Sequence, residues 1–253
     1  MRENITHPSR QYPKKNELKP HLQRTWCIGC INAEFIARME QILWLYQQKY
    51  DPLYPVVCFD ERPCFLIGNK VEPLSLQSGQ IAREHYSYEK NGSAALLAAI
   101  EPKTGKRLAQ VHSQRTKLEY TLFFQALAKA YPNAIKIRVV QDNLNTHNTS
   151  SFYQHLPADE AFALSNLFEF FYTPKSASWL NMIEIEFSAL ARLCLDRRIP
   201  SISILEKEVL SIINERNDKN IKINWQFSLD SARTKFNSHY QKVFSGNSKY
   251  KIT

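Results

Sequence analysis

"TKLEYTLFFQALAKAYPNAIKIRVVQD", residues 116–142, is the stretch on which the fold turns. Its first part puts Leu118, Leu122, Phe123, Ala126 and Leu127 on one side of a helix, the 3.6-residue period of an amphipathic element packed on a core. Its second part, "IKIRVVQD", is a short apolar run of the kind found in a strand buried on both faces. A strand reached through a helix crosses over and lies parallel to an earlier strand. The segment therefore predicts an α/β crossover, and the flanking sequence has to supply the other strands.

Upstream, "YPVVCFDERPCFLIG", "HYSYEK", "AALLAAIEP" and "KRLAQVHS" read as consecutive strands, each short and bounded by Gly, Pro or charge. Pro63 is expected to stop the first of them just after Asp60. Lys103-Thr104-Gly105-Lys106 reads as a hairpin turn in which Gly105 takes positive φ. Before the strands, "NAEFIARMEQILWLYQQKY" spaces Phe35, Met39, Ile42, Leu43 and Tyr46 as a helix, with Asn32 as its N-cap. Downstream come a polar helical piece from Pro157 to Asn166, a strand in "FEFFYTP", a long helix within residues 172–198, a helix in "ILEKEVLSIINERND" and a last short helix after Ser228. Strands and helices in this order predict an α/β fold, a mixed sheet flanked by helices.

The 253 residues suffice for a large core, and 43% apolar content is that of a soluble globular chain. No apolar run reaches the length of a membrane span, and the polar start "MRENITHPSR" has no signal-peptide core. A cytoplasmic chain is expected. Thirty-three Lys and Arg against 24 Asp and Glu give a net charge of +9, which favours a polyanionic partner. Five cysteines, an odd number, point to reduced thiols rather than disulfides. Cys27 and Cys30 form a Cys-x-x-Cys, but no second pair follows at zinc-ribbon spacing. Residues 1–30 read as a basic, proline-broken tail and residues 31–245 as one domain.

Four acids stand out. Asp60 in "VVCFDERP" and Asp142 in "RVVQDNLNTHN" fall at the ends of strands, where α/β folds present functional groups on rigid backbone. Glu184 and Glu186 sit in "YTPKSASWLNMIEIEFSALARLCLDRR", a helix whose Trp179, Ile183, Phe187, Leu190 and Cys194 share an apolar face. Trp179 is expected to begin that face as a packed residue. Glu184 lies at the polar border with Asn181 and Ser188, whereas Glu186 falls inside the apolar arc, where a carboxylate needs a partner or a metal. Periodicity does not choose which glutamate faces the two aspartates. Two aspartates on strands and a glutamate on a helix suit a two-metal phosphoryl-transfer site, because Mg²⁺ takes hard oxygen ligands and two ions can serve attacking and leaving oxygens. Neither a Gly-rich phosphate loop nor a nucleophile elbow is present, and no small-molecule cofactor is expected.

"VVCFDERP", "VVQDNLNTH" and "YTPKSASWLNMIEIEFSALARLCLDRRI" closely resemble the three signature blocks of DDE-type insertion-sequence transposases, of the bacterial branch related to mariner elements, and "NWQFSLDSARTKF" resembles that family's closing segment. The likeness runs from about Leu18 to Tyr240. It implies a ribonuclease-H-like fold, Mg²⁺- or Mn²⁺-dependent cleavage of double-stranded DNA at transposon ends, transfer of the 3′-OH into target DNA, and a homodimer or higher assembly on DNA. Block by block, Asp60 matches the first catalytic acid, Asp142 the second, and Glu184, three residues after Asn181, the third; together they would hold two ions. Glu186 is the rival ligand, or a buried acid paired with a basic side chain. Weaker DNA contacts are assigned to Asn143, Asn145, His147, Lys175, Arg192, Arg197 and Arg198, with a solvated helix end as the competing reading of the arginines. Two departures accompany the likeness. The family's paired helix-turn-helix domains are represented only by "KKNELKPHLQRTWCIG", so the first 30 residues read as their remnant ahead of a DDE catalytic domain. Ser176-Ala177 also stands where His-Gly is expected. A plain metal-dependent nuclease and a catalytically silent remnant that binds DNA or an intact transposase are the alternatives.

Overall fold

The computed structural model describes residues 30–71, 85–142 and 148–249. The Cys27 partner of Cys30, the tail, and Asn143, Asn145 and His147 lie outside the described residues. Cys30, Cys58, Cys64 and Cys194 are free thiols.

Helix α1 (Ala33–Gln47) opens the domain, and the Asn32 side chain accepts the Phe35 N–H at 2.9 Å, closing one of the donors a helix start leaves open. Strands β1 (Val56–Asn69), β2 (Tyr88–Glu101) and β3 (Lys106–His112) form an antiparallel meander. Gly105 turns the chain from β2 to β3 at φ 83°, a left-handed conformation that glycine takes without strain. Helix α2 (Lys117–Ala130) starts with a capping box between Thr116 and Glu119. It leads to β4 (Ile137–Gln141), which lies parallel to β1, the crossover predicted from residues 116–142. Helices α3 (Ser150–His155) and α4 (Ala158–Leu167) precede β5 (Phe168–Tyr172), parallel to β4. Among the described residues the sheet order is β3-β2-β1-β4-β5.

The two faces of this sheet bury separate cores. On one, Phe59, Tyr120, Phe123, Phe124, Phe152 and Phe168 form an aromatic cluster that holds α2, α3 and α4, each ring worth about 1.5–3 kcal/mol on burial. On the other, Cys58, Leu96, Ala98 and Val140 meet α5 (Ile183–Leu190) and α6 (Ile202–Asp218). A third cluster joins α1 to α7 (Leu229–Lys235) and α8 (Asn237–Val243), where Arg233 clasps Glu40 at 2.7 and 2.9 Å. Among the described residues no helix is long and apolar enough to cross a membrane.

Three expectations need correction. Pro63 does not stop β1, which continues to Asn69 with Asp60 inside it. Pairing with β4 ends at Cys58, so beyond that residue β1 is an edge strand, where a missing N–H is tolerated. The segments "HYSYEK" and "AALLAAIEP" belong to one strand, bent at Gly92 (φ 106°) where the β1–β2 register shifts. The long helix within residues 172–198 is short. A 3₁₀ turn at Ser178–Leu180 precedes α5, and the chain leaves α5 through a π-helical turn at Ala191–Leu195.

Candidate active site

Asp60 and Asp142 meet where β1 and β4 part. Cys58 pairs with Val140, and continuing that register by two residues sets Asp142 beside Asp60. Side chains alternate along a strand, so Asp60 shares the face of Cys58, and Asp142 that of Val140, the face covered by α5. Glu184 stands in the first turn of α5, above the parting strands.

The electrostatics tie the three acids together. Burial pushes the Asp60 carboxyl up to about 7, and the negative charges of Asp142 and Glu184 add to the effect, while a 2.7 Å hydrogen bond from the Glu61 N–H opposes it. Glu184 is raised by burial and by Asp142, and Arg62 pulls it the other way. Carboxylates that raise one another's affinity for protons are placed to share cations instead. Among the described residues no three His, Cys, Asp or Glu side chains are gathered closely enough to enclose a single ion. Hard oxygen donors in pairs nevertheless suit Mg²⁺, which is commonly held by one or two carboxylates and completes its shell with water and substrate phosphate.

Glu186 has a different setting. It is 1% exposed and is clasped by Arg216, whose Nε and Nη2 donate at 2.8 and 3.0 Å, with Arg107 Nε 2.9 Å away. Arg107 itself donates to the carbonyls of Gly105 and Ile221, and its main chain exchanges hydrogen bonds with Asn217. This network bolts α5, α6 and β3 together on the far side of the helix from the acids. Of the alternatives open for Glu186, the geometry shows the buried acid paired with basic side chains.

The approach to α5 explains how Glu184 is aimed. After β5 the chain passes through Ser176 at φ 61°, a left-handed conformation unfavourable for a residue with a Cβ. Ser176 is the first residue of the Ser176-Ala177 pair that stands where His-Gly is expected. Ser176→Gly should stabilise the fold by about 0.5–1 kcal/mol, read as a rise of roughly 2 °C in Tm. An unchanged or lowered Tm would contradict it. Trp179 is not packed in the core but 41% exposed, its ring edge-on to Phe227 at 5.6 Å. The early helix break places it on the turn rather than on the apolar face of α5.

The basic residues separate. Lys175 is exposed beside a cavity of about 410 Å³ between the start of α1 and the β5–α5 loop, also lined by Arg38 and Ser176. Arg192 is exposed on the π-helical turn. Arg197 pairs with Glu208 at 2.5 Å. Arg198 is occupied by Asn69, Ser87 and His85, to which it donates at 3.0, 3.3 and 2.7 Å, so it fastens the far end of the β1–β2 hairpin. Sequence reading missed Arg62, whose Nη1 donates to the Phe187 carbonyl at 3.1 Å. The available signal was its position two residues after Asp60, hence on the same face of the strand.

Comparison with curated proteins gives no match. Solved structures do match. The Mos1 transposase paired-end complex with left transposon end has a TM-score of 0.53 at 14% identity, over 94% of this chain and 69% of that one. The Mos1 mariner paired-end complex with Mn has a TM-score of 0.54 at 14% identity and the same coverage. The Mos1 strand transfer complex has a TM-score of 0.51 at 12% identity, over 83% of this chain and 68% of that one. At such identities the likeness concerns the fold, and it makes the sheet and its helices ribonuclease-H-like. The model of the DDE superfamily endonucleases matches residues 55–206, which include Asp60, Asp142 and Glu184 and more than half of the chain. The protein therefore belongs to the DDE superfamily endonuclease family.

Proposed function

We propose that this chain is the catalytic core of a DNA transposase, which cleaves DNA at transposon ends and joins the freed 3′-OH to a target, with Asp60, Asp142 and Glu184 as its acidic site. The observation that carries this reading is the convergence of the three acids at the fork between β1 and β4, inside a family of endonucleases. Asp60 feels the charges of Asp142 and Glu184, and Glu184 feels that of Asp142, so the three acids act on one another as a single cluster.

Asp60, Asp142 and Glu184 would hold Mg²⁺ or Mn²⁺, which when bound would supply Lewis acidity to the attacking oxygen and to the departing 3′ oxygen. The chain's own part is to hold the carboxylates on rigid backbone. Asp60 is fixed by the Glu61 N–H, and Arg62 steadies the α5 end by its bond to the Phe187 carbonyl while attracting Glu184. Manganese in a Mos1 complex of the same fold supports metal use, and Mos1 complexes with transposon-end DNA support double-stranded DNA as the partner. A net charge of +9 supplies backbone affinity, with Lys175 and Arg192 as exposed contacts.

The test is nicking of supercoiled plasmid with Mg²⁺ or Mn²⁺, followed by joining of a pre-cut DNA end to a target. Both activities are expected, with DNA binding that falls steeply as salt rises. Nicking without joining would leave a plain nuclease, and DNA binding without either would leave a silent remnant.

A further inference from the structure

We propose that Asn181 is a positioning residue that sets Glu184 against Asp60, assisted by Tyr46; the inference rests on the acidic-site reading above. Asn181 is fully buried, at 0% exposure. Its Nδ2 donates to the Phe59 carbonyl at 2.8 Å, its Oδ1 faces the Ile183 N–H at 3.4 Å, and its own carbonyl accepts the Glu184 N–H at 3.2 Å. One side chain thus connects the residue before Asp60 to the first turn of α5.

The place of this bond in the sheet explains why it is needed. β1 and β4 pair as far as Cys58 and Val140 and no further. Beyond that point buried main-chain groups of β1 must find other partners on that side, and the Phe59 carbonyl finds the Asn181 amide. The fork that leaves room for two aspartates is therefore spanned by a residue just ahead of the glutamate helix. Only a side chain with both a donor and an acceptor serves here. Aspartate would set a carboxylate against a carbonyl and add charge beside three acids.

Tyr46 secures the same turn from the other direction. Its hydroxyl donates to the Leu180 carbonyl at 2.7 Å and lies 3.3 Å from Cys58 Sγ. Leu180 and Asn181 are thus each tied to a different element, α1 and β1, immediately before α5 begins. A helix of eight residues fixed at its entrance in this way has little freedom to tilt. Partners that orient metal ligands typically change metal affinity 10- to 100-fold when removed.

The experiment titrates Mn²⁺ into DNA-free protein and reads free Mn²⁺ by electron paramagnetic resonance, beside the Tm of each variant. Asn181→Ala should remain folded with a lowered Tm and bind Mn²⁺ roughly 10-fold more weakly or worse. Leu164→Ala, in the core on the opposite face, should lower Tm comparably and leave the Mn²⁺ curve unchanged. Folded Asn181→Ala with a wild-type curve would overturn this proposal alone. Wild-type protein that binds no Mn²⁺ would overturn the acidic site and the proposal with it. Should Asn181→Ala not fold, Tyr46→Phe decides: a several-fold loss of Mn²⁺ affinity supports the positioning role, and an unchanged curve overturns it.

Discussion

Glu186→Gln should lower the stability of the fold by about 3–5 kcal/mol, a fall in Tm on the order of 10 °C for a chain of this size, while Glu184→Gln leaves Tm level or slightly raised and removes DNA nicking. The two residues are separated by a single position in one helix, yet their settings are opposite. Glu186 is the only acid whose charge faces both Arg107 and Arg216 among the ion pairs of the described residues. The Arg107 side chain is 0% exposed in that pair. An amide at 186 keeps the volume but leaves a buried guanidinium uncompensated, the situation in which breaking an ion pair costs most. Glu184 is half-buried beside a like charge that raises its affinity for protons, so neutralising it relieves repulsion. Thermal unfolding and plasmid nicking of the two variants read the contrast directly. A Glu184→Gln variant that nicks like wild type, or a Glu186→Gln variant of unchanged Tm, would sink the division of roles.

What the sequence disclosed, and what it concealed, follows from the range of the interactions. The crossover at residues 116–142 and the Asn32 cap were legible because their signals are local: a helical period, a buried apolar run, a side chain three residues from the N–H it accepts. The family, the fold class and the enzyme class were legible from three long blocks in order. The continuation of β1 past Pro63 was not, because proline disrupts a strand only where its missing N–H would face a paired neighbour, and pairing on the β4 side stops at Cys58. Trp179 was misplaced because a helix was extended backwards through a turn that Ser176, at positive φ, had already set apart. For Glu186 the apolar arc revealed that a partner was required, but not that the partners come from β3 and α6. Side chains that meet across a fold leave no spacing in the chain. Asn181 shows the same limit, since its bond to the Phe59 carbonyl joins segments far apart in sequence.

Asp60→Asn and Asp142→Asn should each reduce metal-dependent nicking by on the order of a thousandfold or more, since an amide is a poor ligand for a hard cation and the lost stabilisation amounts to several kcal/mol. Asp60→Asn should at the same time make the metal-free protein more stable, by about 1–3 kcal/mol after allowing for screening at a half-buried site. The reason lies in proton linkage. An aspartate in the unfolded chain titrates near 3.9, and in the fold Asp60 is pushed up to about 7. Between those values the native state binds the extra proton, so the contribution of Asp60 to stability is greatest at acid pH and is lost as pH rises from about 4 towards 7. Asparagine carries no such penalty, and its carbonyl can still accept the Glu61 N–H that Asp60 accepts now. Divalent cations reverse the balance, because they bind the deprotonated acids and stabilise the native state by mass action. The rise in Tm caused by Mn²⁺ should therefore be larger at pH 8 than at pH 6 in the wild type and absent in Asp60→Asn. Thermal scans at the two pH values, with and without Mn²⁺, measure this. A metal-free Asp60→Asn protein less stable than wild type at pH 8, or one that Mn²⁺ stabilises as strongly as wild type, would show that Asp60 is a structural acid and not a ligand held ready at the cost of the fold.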